Sequence, residues 1–289
     1  MCKFKVVITD SYHPTLDAEK EELREIDADL ILCQCKTEDE LIAATKDADA
    51  VMTQHAKVSR KVIEHLEKCR IIARYGVGYD NVDVMAATER GIMVSNVPDY
   101  CVDEVSSHAM ALIMVCSRKI IQLNNSVKAG QWTYLVAEPV YRLTEQILGI
   151  VGLGRIGSAT ARKALGLGLK VLAYDPYVSE TELDVEFVDF DSLLQKSDFV
   201  SLHCPLTDET HHMFGESEFR KMKNSAFLIN TARGPIVDKV ALCEALKASE
   251  IAGVGVDVIE DEPPPHDDPL LKLDNFIVTP HTAWYSVGS

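Results

Sequence analysis

Short apolar runs alternate with amphipathic stretches from one end of the chain to the other, the pattern of parallel sheets covered by helices. In the first hundred residues the runs at 5–9, 30–33, 50–53, 71–74 and 93–94 read as strands. The stretches 18–26, 38–44, 59–66 and 84–90 repeat their apolar positions at helical spacing. Ser59 and Asp83 stand where N-caps belong, and Gly91 where a helix stops. A second alternation begins at Gln146, with strands at 147–151, 170–174, 199–203, 226–230, 252–258 and 276–279. The first of these, Ile147-Leu148-Gly149-Ile150-Val151, is apolar throughout, as a parallel strand buried on both faces requires.

The spacing therefore predicts an α/β chain of two doubly wound parallel-sheet domains. The first is flavodoxin-like and expected over 1–97, with 283–289 returning to it; the second is a Rossmann domain over 98–282. The boundary is read at Asn96-Val97-Pro98-Asp99, where Pro98 disfavours helix for Val97. Beyond it, 102–128 reads as one long helix ended by Gly130, a candidate for a contact with a second copy.

Composition narrows the function classes. Lys and Arg number 29 against 45 Asp and Glu, a net charge of -16, which opposes nucleic acid and anionic membranes as partners. No apolar run approaches a membrane span, and the segment after Met1 is a strand rather than a signal peptide. The 8 cysteines show no paired Cys-x-x-Cys spacing, which suits free thiols in a reducing, cytoplasmic setting and gives no metal site.

The chemistry starts at Gly152-Leu153-Gly154-Arg155-Ile156-Gly157, directly after the apolar strand and opening a helix. Gly152 permits the tight turn, Gly154 lets a pyrophosphate near the backbone, and Gly157 lets helix and strand pack closely. Free N–H groups at the helix start then face the phosphates. The next strand ends in Asp175, 18 residues after Gly157. A carboxylate there accepts from ribose hydroxyls and repels a 2′-phosphate, so the expected cofactor is NAD.

Three later strand ends carry Arg233, Glu262 and His281. Singly, each is an ordinary polar residue; together they are the set that reduces a 2-keto acid. Arg233 would hold the substrate carboxylate in a fixed fork. His281 would protonate the carbonyl oxygen. Glu262, bonded to the far ring nitrogen, would fix the tautomer and favour the imidazolium. Spacing alone does not bring the three together.

In order along the chain, Arg74 through Asp83, Gly149 through Gly157, His203-Cys204-Pro205-Leu206-Thr207, Asn230-Thr231-Ala232-Arg233-Gly234, Asp257 with Glu262-Pro263, and Pro280-His281 resemble the D-isomer-specific 2-hydroxyacid dehydrogenases. The resemblance implies an NAD-dependent oxidoreductase interconverting a small D-2-hydroxy acid and its 2-keto acid in a cleft between two domains. It implies Arg233, Glu262 and His281 as catalytic residues, and a substrate carboxylate cradled at Val77 and Gly78. Cys204, Pro205, Thr210, Thr231, Ala232, Asp257 and His281 would line the cofactor with Arg155 and Ile156. It also implies a homodimer built through the cofactor domain.

His281-Thr282-Ala283-Trp284-Tyr285-Ser286 is most similar to the C-terminal binding protein branch, which makes Trp284 a wall of the substrate pocket and opens an alternative, a dinucleotide-sensing corepressor-like module. Family chains normally continue past the catalytic histidine into a helix that returns to the first domain. This sequence stops at Gly288-Ser289, so the expectation is either a fragment of a longer chain or a closing helix that has been lost.

Overall fold

Parallel strands need long crossovers, and each helix between them must bury an apolar face against the sheet. In the computed structural model, which describes residues 4–12 and 15–288, the chain meets both demands twice, in the units Met1–Tyr100 and Cys101–Ser289.

The first unit holds β1 (Phe4–Ile8), β2 (Ala28–Leu32), β3 (Ala50–Thr53), β4 (Ile71–Arg74) and β5 (Met93–Ser95). They are all parallel, in the order β2-β1-β3-β4-β5, the flavodoxin-like arrangement. Four helices cross between them: α1 (Asp17–Arg24), α2 (Glu38–Thr45), α3 (Arg60–Glu64) and α4 (Val84–Glu89). The expected caps are formed, since Ser59 accepts from the Val62 N–H and Asp83 from the Ala86 N–H. Val7, Val51, Val62, Ile63, Leu66, Ile72 and Ala87 form the centre of its core.

The second unit opens with a departure from the expected helix over 102–128. The chain instead forms α5 (Val102–Arg118) and α6 (Ile120–Lys128), separated by Lys119 in a left-handed conformation, φ 47°. The apolar spacing runs on through this point, and Lys119 carries no breaker signal. α5 buries Ala109, Leu112, Ile113 and Cys116 against the sheet that follows.

That sheet comprises β6 (Ile147–Val151), β7 (Lys170–Tyr174), β8 (Glu186–Phe187), β9 (Phe199–Leu202), β10 (Phe227–Asn230), β11 (Gly253–Val256) and β12 (Phe276–Val278). Its order is β12-β11-β10-β9-β6-β7-β8, parallel throughout. The strand order reverses between β6 and β9, the switch point outside which dinucleotides bind in such sheets. One face is covered by α5 and α7 (Arg155–Gly166), the other by α8 (Phe190–Lys196), α9 (Glu216–Lys221) and α10 (Lys239–Lys247). The two-residue β8 was not anticipated.

The end of the chain is bonded within this second unit. Ala283 N–H donates to Asp257 Oδ2 at 2.7 Å, and Ser286 Oγ to Glu104 Oε1 at 2.8 Å. These bonds hold the segment beside β11 and α5; Ser289 lies outside the described residues.

Candidate active site

β6 delivers Gly152 at the switch point with φ 93°, and the space there is small. A Cβ on Gly152 would lie 2.7 Å from the Cys204 backbone nitrogen, just past β9. A Cβ on Gly157 would lie 2.1 Å from the Gly152 carbonyl oxygen, so the start of α7 rests on the turn itself. Gly154 is the opposite case: a Cβ there meets nothing within 4 Å. It is the N-cap of α7 and provides no side-chain cap, leaving the first N–H groups, from Arg155 and Ile156 onward, open to an anion.

Asp175 stands at the end of β7 with Oδ2 accepting from the Leu153 N–H at 2.7 Å. Its Oδ1 accepts from the N–H groups of Tyr177 and Val178 at 2.8 and 3.1 Å. A carboxylate offers about four acceptor positions, so one remains on Oδ2 for a ribose hydroxyl. Burial pushes the Cys204 thiol up to about 11, so it is neutral beside the glycine turn. Thr210 closes the next loop, donating to the Pro205 carbonyl at 2.6 Å. Thr231 follows β10, and its hydroxyl is buried with no hydrogen-bond partner among the described residues. An open helix start, a carboxylate with one vacant acceptor and an orphaned buried hydroxyl along one sheet edge fit a dinucleotide.

The second cluster lies past β10, β11 and β12. Gly234 makes it possible: a Cβ there would sit 2.0 Å from the Ile259 carbonyl, so only glycine lets the two loops touch. Arg233, next to it, donates from Nη1 to the Ala232 carbonyl at 2.8 Å and is close enough to Glu262 for its charge to act on that carboxyl. Glu262 Oε2 is 2.6 Å from His281 Nδ1, and Oε1 accepts from the Ile259 N–H at 3.1 Å. Burial works to raise the Glu262 carboxyl. The hydrogen bond and charge of His281, the Ile259 N–H and Arg233 outweigh it and hold the carboxyl below its usual range. Glu262 and His281 are thus in direct contact, with the Arg233 charge near the Glu262 carboxyl.

This chain belongs to the D-isomer-specific 2-hydroxyacid dehydrogenases. The model of that family's NAD-binding domain matches residues 110–283. A glyoxylate reductase of Korarchaeum cryptofilum is 46% identical over 251 residues, covering 84% of this chain and 75% of that one. A hydroxypyruvate reductase of Thermotoga maritima is 38% identical over 285 residues, 97% of this chain and 92% of its own. Among solved structures, a D-lactate dehydrogenase from Aquifex aeolicus, complexed with NAD and lactic acid, superposes with a TM-score of 0.89. It shares 30% identity and covers 98% of this chain and 90% of its own. The protein is accordingly an NAD-dependent oxidoreductase of this family with a Rossmann NAD-binding domain and a second parallel-sheet domain.

The other expected residues are held by their own bonds. In this dehydrogenase Val77 and Gly78 follow β4 on the first unit, where Asn96 Nδ2 donates to the Val77 carbonyl at 2.6 Å. Trp284 is half-buried, and its Nε1–H donates to the His281 carbonyl at 3.0 Å. Asp257 is 2% exposed, with its carboxylate bonded to Thr279, Thr282 and Ala283. Sequence reasoning missed His108, whose Nε2 lies 2.9 Å from the Thr279 hydroxyl. A lone histidine inside an amphipathic helix, 171 residues from its partner, gives no signal in the sequence.

Proposed function

We propose that the protein reduces a small 2-keto acid of the glyoxylate or hydroxypyruvate class to the D-2-hydroxy acid with NADH. The observation that carries the reading is the 2.6 Å contact of His281 Nδ1 with Glu262, with Arg233 beside it. The names of the relatives from Korarchaeum and Thermotoga support the substrate class. Bound NADH supplies the hydride. Arg233 holds the substrate carboxylate by paired N–H bonds. Glu262 faces Nδ1, so proton delivery to the carbonyl oxygen falls to His281 Nε2. Glu262, held below the usual carboxylate range, accepts from Nδ1–H and fixes the orientation of the ring. Asp175 disfavours a 2′-phosphate and so selects NADH.

NADH oxidation at the nicotinamide absorbance band, with glyoxylate, hydroxypyruvate and pyruvate in turn, tests the reading. Rapid turnover of one of the first two is expected. Tight NADH binding with no turnover on any 2-keto acid would overturn it and favour the dinucleotide-sensing alternative. The segment from His281 to Ser286 supports placement near the C-terminal binding protein branch, where both kinds of protein resemble one another.

The partner we assign is a second copy of the chain. α6 and the segment after it expose Ile120, Ile121, Val127, Trp132, Tyr134 and Leu135, with Trp132 91% exposed. So much contiguous apolar chain on the cofactor domain supports self-association there. Sedimentation of the wild type as a dimer and of Trp132→Glu as a monomer is the expected result.

A further inference from the structure

We infer that His108 is a positioning residue for His281, acting through the Thr279 hydroxyl and the Asp257 carboxylate. The inference rests on the acid/base reading of His281 and extends it to a residue outside the three assigned catalytic groups.

The hydrogen positions follow from chemistry. Asp257 already accepts the Thr282 N–H on Oδ1 and the Ala283 N–H on Oδ2, so the hydrogen on the 2.5 Å line between Thr279 Oγ1 and Asp257 Oδ1 belongs to the hydroxyl. A hydroxyl has one hydrogen. Toward His108 Nε2, 2.9 Å away, Thr279 therefore accepts, and Nε2 carries the proton. The chain runs one way: His108 N–H to Thr279 O–H to Asp257.

Asp257 in turn grips the backbone on either side of His281. Its Oδ1 accepts from the Thr282 N–H at 3.0 Å and its Oδ2 from the Ala283 N–H at 2.7 Å. Its own carbonyl accepts from the His281 N–H at 2.8 Å. These bonds hold His281 at φ 50°, a left-handed conformation disfavoured by any side chain with a Cβ. The ring that meets Glu262 is thus aimed by a backbone turn fastened at three amides to one aspartate.

His108 decides which way the hydroxyl turns. Thr279 Oγ1 also lies 3.4 Å from the Val256 carbonyl, a second acceptor that would draw the hydrogen away from Asp257. The His108 N–H is satisfied only while a lone pair of the hydroxyl faces it. Its helix is a firm base: Leu112, one turn further along α5, lies directly over Gly255 in β11, where an added Cβ would come within 3.2 Å.

The test compares His108→Ala, His108→Gln and Thr279→Val with His281→Ala. It reads kcat and KM on the 2-keto acid that the wild type reduces fastest, with rates normalised to the NADH-binding chains counted by fluorescence titration. His108→Ala is expected to lower kcat about 10- to 100-fold, the scale of a misplaced catalytic group, with NADH affinity unchanged. His108→Gln, which returns an N–H donor at similar reach, should restore most of it. Thr279→Val should match His108→Ala, and the double variant should lose little more, because both break one chain. Wild-type kcat per NADH-binding chain in His108→Ala, or a loss that glutamine does not repair, would overturn the inference. If His108→Ala does not fold, Thr279→Val carries the same decision. Full turnover by His281→Ala would remove the acid/base reading itself. An inactive His281→Ala beside normal His108→Ala and Thr279→Val would remove this inference alone.

Discussion

His281 Nδ1 and Glu262 Oε2 are 2.6 Å apart although 19 residues separate them in the chain. On the proposed reading Nε2 is the proton-donating nitrogen, so His281→Ala should lower kcat by about 10²- to 10⁴-fold, the usual worth of a placed general acid. NADH affinity should hold, because the glycine turn and Asp175 are untouched. Stopped-flow turnover alongside NADH fluorescence titration checks both halves.

The depressed Glu262 carboxyl predicts a pH signature in stability. A carboxyl whose folded pKa lies below its unfolded value of ~4.3 stabilises the fold above that pH. The contribution disappears as pH falls through the folded value. The difference in Tm between wild type and Glu262→Gln should therefore be largest near neutrality and shrink in acid. A difference constant from pH 7 to about 3 would contradict the assigned interaction.

Gly234 is the hinge of the catalytic cluster, since a Cβ there would meet the Ile259 carbonyl at 2.0 Å. Gly234→Ala should cost about 1–3 kcal/mol, the range for overpacking, and separate Arg233 from Glu262. Thermal melts should show the first effect. A kcat loss larger than the unfolded fraction explains would show the second.

Asp175→Ala should raise the NADPH-to-NADH preference by removing the charge that repels a 2′-phosphate. It also removes the acceptor of the Leu153 N–H, so affinity for both cofactors should fall. The ratio of kcat/KM values for the two cofactors is the measurement, and an unchanged ratio would undo the ribose argument.

Arg233→Ala should abolish turnover while NADH still binds, because its guanidinium is assigned to the substrate carboxylate alone. Simultaneous loss of NADH binding in the same titration would count against that role.

Much of this was legible in the sequence because the determining signals are local. The turn from Gly152 to Gly157 and the carboxylate at Asp175 are separated by one helix and one strand, and the spacing alone places them at adjoining strand ends. The pairing of Glu262 with His281 was named but not derivable. The approach of Arg233 to the Glu262 loop depends on Gly234 lying against Ile259, and a glycine after an arginine announces no such contact. The break at Lys119 was invisible, since apolar periodicity continues across it and lysine seldom adopts a left-handed conformation. β8 is two residues long, below any periodic signal. His108 was hidden for a different reason: its partners lie on strands far along the chain, and only the sheet order brings them under one helix.

The break at Lys119 separates two kinds of selection. A straight 27-residue helix, at 1.5 Å per residue, would tie every side chain from Val102 to Lys128 to one rigid axis about 40 Å long. Divided, α5 answers only to the sheet it covers, where Leu112 and Cys116 press on Gly255. α6 carries no such duty, and Ser126 is its only buried residue. Drift in its exposed residues is therefore invisible to the loops past β11 and β12 that carry Glu262 and His281. A lineage can gain, lose or exchange a partner on α6 while the reaction chemistry stays as it was.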